Sequence, residues 1–219
     1  MTLDTKREYF RQGWFRFAAR IFFTAAIPVL FFWVCLVNGA RIKGIQNLRG
    51  LRSAVSVCNH VHKMDSALIA SAFYPRKPVF PTRPEKVYRI FPGIIFNLLG
   101  CVSIPRTPGE THTFFREMKR MLNEGKIVHF FPEGIISPYG KELQSFKRGA
   151  FFLAAQAQAP VVPMAISFHE PRGGYKIIRK KPVMLLTIGE PMQPVSPNVK
   201  EDESARAEAV CQRMLEMLK

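Results

Sequence analysis

Two short segments of the chain carry residue types that can do chemistry on a hydroxyl group. His60 and Asp65 lie five residues apart, and Glu133 and Gly134 follow an apolar run about seventy positions later. A histidine oriented by an aspartate is a common device for removing a proton from a weakly acidic hydroxyl. Since neither serine nor cysteine forms a nucleophile elbow nearby, we expect that hydroxyl to belong to a substrate. The two segments therefore predict group transfer onto an alcohol.

The histidine and the aspartate can meet only at a loop-to-helix corner. Five residues along an ideal helix turn the chain by about 500°, which points two side chains well apart. Residues 53–58 predict a strand and residues 65–73 predict a helix. We therefore place His60 on the loop after the strand and Asp65 at the start of the helix. Asp65 could equally be an N-cap, and His60 a loop histidine bonded to backbone.

The rest of the chain alternates short apolar runs with amphipathic stretches, which is typical of an α/β fold. We expect a mixed, largely parallel sheet flanked by helices. Residues 41–219 are predicted to form the catalytic domain, and residues 1–40 a membrane-attaching segment of N-terminal helices. Further strands are predicted at residues 101–104, 127–131, 161–168 and 183–188, and further helices at 111–123, 149–158 and 201–218.

The N-terminal segment contains an uncharged stretch at residues 21–37, preceded by mixed aromatic and basic residues. A helix of that length spans about 26 Å, slightly less than a bilayer core of about 30 Å. Pro28 lies in its middle and is expected to kink or break the helix. Because both flanks are basic, we favour a hairpin or an interfacial helix pair with both ends cytoplasmic over a spanning helix. A cleaved signal peptide and a soluble core helix are the remaining alternatives.

The charge balance is strongly basic, since 32 Lys and Arg face 16 Asp and Glu for a net charge of +16. Such a field favours nucleic acid, anionic lipid or a phosphorylated substrate as a partner. The aromatic residues cluster beside the apolar segment and do not interleave with basic residues along a groove. We therefore predict an anionic membrane surface as a partner and no nucleic acid. A basic module without catalysis that binds membrane or nucleic acid is the alternative.

A metal site is a competing interpretation of the same histidines. His60, His62 and Asp65 resemble the HxHxDH motif of metallo-β-lactamase-like hydrolases, but Asp65 lies one position too late and no histidine follows it. The other histidines are poorly placed to complete a ligand set. The four cysteines are far apart without CxxC spacing, which favours a reduced, cytosol-facing chain. We predict no metal and no bound cofactor.

Three basic residues are candidates for binding a phosphate group. Arg106 follows the predicted strand 101–104, so its planar guanidinium would project from the end of a rigid element. Lys147 and Arg148 directly precede the predicted helix 149–158 and could add positive charge to the same rim. Each of the three could instead be an ordinary solvated surface residue.

Four ordered blocks of the chain, between about residues 41 and 188, resemble the lysophospholipid acyltransferase family. The NHxxxxD motif of that family is matched by Asn59, His60 and Asp65, and its FPEG motif by Phe131–Gly134. The other matching positions are Arg83–Glu85 (loosely), Gly93, Gly100, Ile104, Arg106, Phe146–Phe151 and Pro160–Pro163.

The resemblance implies transfer of a fatty acyl group from acyl-CoA or acyl carrier protein to the free hydroxyl of a lysophospholipid, with 1-acyl-sn-glycerol-3-phosphate as the expected acceptor. The reaction would take place at the cytoplasmic face of the cell membrane. His60 would be the general base, and Asp65 would hold its imidazole. Arg106 would bind the phosphate.

The resemblance further implies that Glu133 and Gly134 shape the acceptor site, with Lys147 among the substrate-binding residues. Ile135 and Ile136 stand where the family usually has Thr-Arg, so an arginine expected at the phosphate is missing. This departure leaves a different lysolipid or a glycolipid open as the acceptor. A catalytically inactive membrane scaffold of the same family is a further alternative.

Overall fold

The computed structural model describes residues 13–87, 93–140, 142–171, 175–178 and 180–219. The aromatic and basic residues that precede Gly13 therefore lie outside the described part. The helices are α1 (Gly13–Asn38), α2 (Asp65–Phe73), α3 (Pro84–Val87), α4 (Gly93–Leu98), α5 (Pro108–Asn123), α6 (Gly149–Ala157), α7 (Tyr175–Ile178) and α8 (Val199–Leu218). The strands are β1 (Arg41–Lys43), β2 (Ala54–Cys58), β3 (Phe80–Thr82), β4 (Cys101–Ser103), β5 (Ile127–Phe130), β6 (Val161–His169) and β7 (Val183–Ile188).

The main sheet has five strands in the order β1-β7-β6-β2-β5. The pairs β1–β7, β6–β2 and β2–β5 are parallel, while β6–β7 is antiparallel. Strands β3 and β4 form a separate parallel pair. The predicted mixed, largely parallel sheet flanked by helices is confirmed.

Side chains of the central strand β2 alternate between the two faces of the sheet. Val55 and Val57 pack in the same buried cluster as residues of α5, α6 and α8. Ala54 and Cys58 belong to the cluster that contains residues of α1 and α2. All five residues of β2 are buried, as expected for a central parallel strand covered on both faces. The apolar helix α1 and the pair α5–α6 therefore lie on opposite faces of the sheet.

The N-terminal apolar segment forms one helix, α1, that continues through Pro28. Pro28 was expected to kink or break the helix, and it does not break it. The predicted hairpin or helix pair was wrong for residues 13–38, because these residues form a single helix. Pro28 removes one backbone hydrogen bond, to the carbonyl of Thr24, from a ladder of 26 residues. Packing of one face of α1 along the core stabilises the helix on both sides of that gap.

Helix α1 has two apolar faces with different surroundings. Phe23, Ile27 and Val34 are at most 2% exposed and belong to the core. Phe17 and Phe32, on the other side, are more than 60% exposed. The stretch Gly13–Val37 is long and apolar enough to cross a membrane. The domain boundary predicted at residue 40 stays a prediction, although α1 contributes to the core of the domain that follows it.

Candidate active site

The corner between β2 and α2 brings the imidazole of His60 onto the carboxylate of Asp65. Asp65 Oδ2 accepts hydrogen bonds from His60 Nδ1 at 2.8 Å and from the backbone N–H groups of Val61 and His62 at 2.8 and 2.9 Å. Met64 is the N-cap residue, so Asp65 is the first residue of α2 and not its cap. The Asp65 carboxylate therefore holds the loop of residues 60–62 against the start of α2 through these three hydrogen bonds.

This arrangement sets the protonation pattern of the His60 ring. Because Asp65 is a hydrogen-bond acceptor, the hydrogen bond places the ring proton on Nδ1 and leaves a lone pair on Nε2. The Asp65 side chain is fully buried, whereas that of His60 is 18% exposed. A ring held in this way can take a proton from a hydroxyl, and the buried carboxylate stabilises the imidazolium that results.

Asn59 fixes the end of β2 to the neighbouring strand β6. Its side-chain Nδ2 donates to the carbonyl of Ile166 at 2.9 Å, and its Oδ1 accepts from the N–H of Ile166 at 2.7 Å. Asn59 is 2% exposed. The sequence offered one signal for this role, a carboxamide at the end of an apolar strand, but it did not identify the partner.

The segment that follows β5, residues 131–139, packs against the loop that carries His60. The Phe131 ring stacks on the His60 ring with the centroids 4.0 Å apart and the planes at 18°. The N–H of Ser137 donates to the carbonyl of His60 at 2.7 Å, and the N–H of Tyr139 to that of Val61 at 3.0 Å. These contacts fix the plane of the imidazole, a role of Phe131 that sequence reasoning missed.

Glu133 places a second buried carboxyl group beside Asp65. Its side chain is 5% exposed, and neither carboxyl oxygen makes a hydrogen bond of good geometry among the described residues. Burial raises the pKa of Glu133 to about 7; the backbone of Gln144 opposes this shift, and the charge of Asp65 adds to it. The two carboxyl groups therefore differ in environment, since Asp65 Oδ2 accepts three hydrogen bonds, whereas Asp65 Oδ1 and both Glu133 oxygens are buried without such a partner among the described residues.

Gly134 and Lys147 lie against each other. Gly134 has a φ of +69°, and a Cβ at this position would lie 2.6 Å from Lys147 Nζ. The N–H of Lys147 donates to the carbonyl of Pro132 at 2.8 Å, and Arg83 Nη2 donates to the carbonyl of Gly134 at 3.4 Å. Only glycine allows this approach without displacing the lysine, so two cationic side chains surround the turn after β5.

Arg106 has a different partner from the other predicted site residues. It lies after β4 and forms an ion pair with Glu85, and both side chains are more than half exposed. Among the described residues, no hydrogen bond or ion pair joins Arg106 to His60, Asp65 or Glu133. In this structure Arg106 is therefore linked to Glu85, and its predicted part in substrate binding stays a prediction.

A buried polar pair beneath the site was not anticipated from the sequence. Ser56 and His129 are register partners on β2 and β5, and Ser56 Oγ shares a hydrogen bond of 2.9 Å with His129 Nδ1. Burial lowers the pKa of His129 to about 3, and proximity to His60 adds to the shift. The His129 ring is therefore neutral at physiological pH, and it contacts the Phe131 ring edge-on.

The residues that suggested a metal site have other contacts. His62 Nδ1 accepts a hydrogen bond from the N–H of Met64 at 3.2 Å, and its ring lies near those of Tyr139 and Phe168. In the part of the chain that the structure describes, no group of three or more His, Cys, Asp or Glu side chains could hold a metal ion.

Comparison with known proteins gives consistent matches. The sequence model of the Acyltransferase family matches residues 39–167. An uncharacterised acyltransferase of Schizosaccharomyces pombe is 33% identical over 60% of this chain and 50% of its own length. The 1-acyl-sn-glycerol-3-phosphate acyltransferase beta of Homo sapiens is 32% identical over 58% of this chain and 45% of its own. This chain thus spans about half the length of these two relatives.

Two bacterial proteins match over a larger share of their own length. The 1-acyl-sn-glycerol-3-phosphate acyltransferase of Bacillus subtilis is 28% identical over 83% of this chain and 89% of its own. The crystal structure of the 1-acyl-sn-glycerophosphate acyltransferase of Thermotoga maritima superposes with a TM-score of 0.60, covering 93% of this chain and 79% of that one, at 24% identity. The latter likeness shows that the two chains share a fold.

Proposed function

Because the chain belongs to the acyltransferase family, we propose that it moves a fatty acyl group from a thioester, acyl-CoA or acyl carrier protein, to the free hydroxyl of a lysophospholipid. The proposed acceptor is 1-acyl-sn-glycerol-3-phosphate, which would give phosphatidic acid. Relatives named for this reaction support the choice of acceptor. The observation that carries the proposal is the His60–Asp65 hydrogen bond at a partly open corner.

In the proposed reaction, His60 Nε2 takes the proton of the acceptor hydroxyl. The hydroxyl oxygen attacks the carbonyl carbon of the thioester, the carbon–sulfur bond breaks, and the departing thiolate takes the proton back from the imidazolium. Asp65 keeps Nδ1 protonated and stabilises the imidazolium. A positioned general base of this kind supplies roughly 10²–10⁴ in rate.

The other site residues are assigned to the acceptor in this proposal. Gly134 and Lys147 lie at the turn after β5, where the ammonium group would meet the acceptor phosphate. Glu133 lines the same site with an unpaired carboxyl group that could bind an acceptor hydroxyl. Arg106 would bind the phosphate from the rim after exchanging Glu85 for the ligand.

A different lysolipid or glycolipid is the second candidate acceptor. Ile135 and Ile136 are exposed next to the turn, at 49% and 40%, where the resemblance led us to expect Thr-Arg. Two exposed apolar side chains at this place favour an acceptor with less charge or with more apolar surface. The apolar outer face of α1 supports attachment to the membrane, and we place the site at its cytoplasmic surface.

The test is a transfer assay with the purified full chain, a labelled acyl thioester and a panel of lysolipids. We expect transfer to 1-acyl-sn-glycerol-3-phosphate, and a loss of at least about 10²-fold in His60→Ala with unchanged thermal unfolding. Substantial transfer by His60→Ala would refute the role of His60. If Arg106 binds the phosphate, Arg106→Ala raises the KM for the acceptor far more than the KM for the donor; equal effects would contradict that role.

A further inference from the structure

An open groove of about 470 Å³ lies between α5 and α6, outside the site described above. Its charged lining residues in the described part of the chain are all basic: His112, Arg116 and Lys119, here called the cationic row. The rings of Phe115 and Phe152 form the apolar part of the lining and meet edge-to-face at 5.1 Å.

The cationic row follows one face of α5. Its members are spaced i, i+4 and i+7, so they stand in line over about 10 Å along the helix axis. All three side chains are exposed, and none has an ion-pair partner among the described residues. By contrast, Arg120 forms ion pairs with Glu117 on the same helix and with Glu124 directly after it. Arg116 and Lys119 therefore carry positive charge that no ion pair among the described residues compensates.

The groove faces away from the apolar helix α1. Helices α5 and α6 pack on one face of the sheet, and α1 packs on the other. A membrane bound through the outer face of α1 therefore lies across the sheet from the groove. This position favours an occupant that arrives from water over a lipid headgroup.

Both walls of the groove begin close in sequence to predicted substrate-binding residues. Pro108, at one end of its lining, lies two residues after Arg106, and two residues span at most about 7 Å. On the other wall, α6 begins at Gly149, two residues after Lys147, and the Phe115 ring would lie 3.6 Å from a Cβ at Gly149. Both walls of the groove thus start at segments that carry predicted substrate-binding residues.

We propose that this groove is the docking surface for the acidic face of a carrier protein that delivers the acyl thioester. The inference rests on the proposed acyl transfer, since that reaction requires a thioester donor. Carboxylates at i, i+4 and i+7 on a partner helix match the spacing of the cationic row, and a net charge of +16 steers an acidic partner toward the chain. A nucleotide is a poorer fit, because small ligands bind in clefts that bury 70–90% of their surface and this groove is open.

The experiment compares a charge-reversed groove, Arg116→Glu with Lys119→Glu, with a control that changes charge equally, Lys200→Glu with Arg213→Glu on α8. Binding of a fluorescently labelled palmitoyl acyl carrier protein to the full chain in detergent is measured by anisotropy. Transfer is measured with that carrier and with palmitoyl-CoA. We expect the groove variant to weaken carrier binding and raise the carrier KM about tenfold, with the KM for palmitoyl-CoA unchanged and the control near wild type. Added salt should weaken carrier binding by wild type and have little effect on the groove variant.

Three results would overturn the docking surface: no binding of the carrier to wild type, equal loss in both variants, or a raised KM for palmitoyl-CoA with carrier binding intact. If the carrier does not bind to the wild-type chain, the proposed acyl transfer is still tested by the transfer measured with palmitoyl-CoA. If wild type binds the carrier, only the groove variant weakens it, and no lysolipid accepts the acyl group, the docking surface stands and the proposed acceptor class fails.

Discussion

A single oxygen atom, Asp65 Oδ2, organises the corner on which the proposed chemistry depends. It accepts from the His60 ring and from two backbone N–H groups, and it is fully buried. A charged acceptor with three donors is stable at this depth because each donor offsets part of its lost hydration. The same oxygen therefore has a structural part, holding the loop, and an electrostatic part, stabilising the imidazolium.

Replacing Asp65 by Asn separates these two parts. The side chain keeps its shape and one acceptor oxygen, but it loses the charge that stabilises protonated His60. We expect kcat to fall about 10²–10⁴-fold while the KM values of both substrates change little. Initial rates over a range of both substrates measure this, and thermal unfolding checks the fold. Glu190→Gln, an exposed charge change, is the control; wild-type kcat in Asp65→Asn would contradict the electrostatic role.

The buried carboxyl group of Glu133 makes the folded chain less stable as the pH rises. Burial raises its pKa from 4.5 to about 7, so between these values the folded chain holds a proton that the unfolded chain has lost. The free energy of unfolding contributed by this group therefore decreases as the pH rises from about 4.5 to about 7. Glu133→Gln should remove this slope and be more stable than wild type at pH 8, by on the order of 2 kcal/mol, with a much smaller gain at pH 4.

Unfolding of both forms in detergent at a series of pH values measures the effect. Since His129 remains in both forms, its own titration cancels in the difference between them. A constant difference across the pH series would show that the Glu133 carboxyl is ionised at an ordinary pKa.

At the scale of elements, the Asn59 side chain joins two central strands. Asn59→Ala would leave both the N–H and the carbonyl of Ile166 buried without these partners. We expect a loss of about 2–4 kcal/mol in the free energy of unfolding, measured by denaturant titration. Asn47→Ala is the matched control, because that side chain makes one hydrogen bond, to the carbonyl of Ile188, in a partly buried place. It should cost about 1 kcal/mol; equal losses would show that Asn59 does not join the strands as described.

Elements with a clear apolar period could be predicted from the sequence, and their partners could not. The helix Asp65–Phe73 and the strand Val183–Ile188 have the predicted bounds, because burial on a regular face leaves a periodic pattern. The pairing of Ser56 with His129 depends on which strands are neighbours and in which register, which no local pattern encodes. Similarly, Pro28 carries a local signal for a break, and long-range packing of α1 overrides it.

The candidate site was predictable to the extent that it is local in sequence. His60 and Asp65 are five residues apart, so a strand-to-helix junction is enough to bring them together. Phe131 and Glu133 reach the same corner through the pairing of β2 with β5, and their stacking and burial required the structure. The ion pair of Arg106 with Glu85 joins two segments whose approach no motif specified.

At the scale of the whole molecule, the sheet separates an apolar side from a polar one. Helix α1 presents exposed aromatic and aliphatic side chains on one face of the sheet, and the cationic row stands on the other. The proposed reaction, between a lipid and a water-soluble thioester, needs access from both sides. The His60 corner, at the end of the central strand β2, lies where the two routes could meet.

If the chain binds the membrane through the exposed face of α1, substitutions on the exposed and buried faces of this helix should have opposite effects on membrane binding and on stability. Val29 and Phe32 are both 68% exposed and lie on one face, so Val29→Asp with Phe32→Asp should place two charges in the bilayer at about 2.5–3.5 kcal/mol each. We expect this variant to leave the membrane fraction in vesicle flotation while keeping its thermal unfolding in detergent. Phe23→Ala on the inner face should do the reverse, staying with the vesicles but losing about 3–5 kcal/mol of stability because its ring is buried in the core. If the Asp variant floats with the vesicles as wild type does, α1 is not the attachment, and binding must come from the basic surface of the chain.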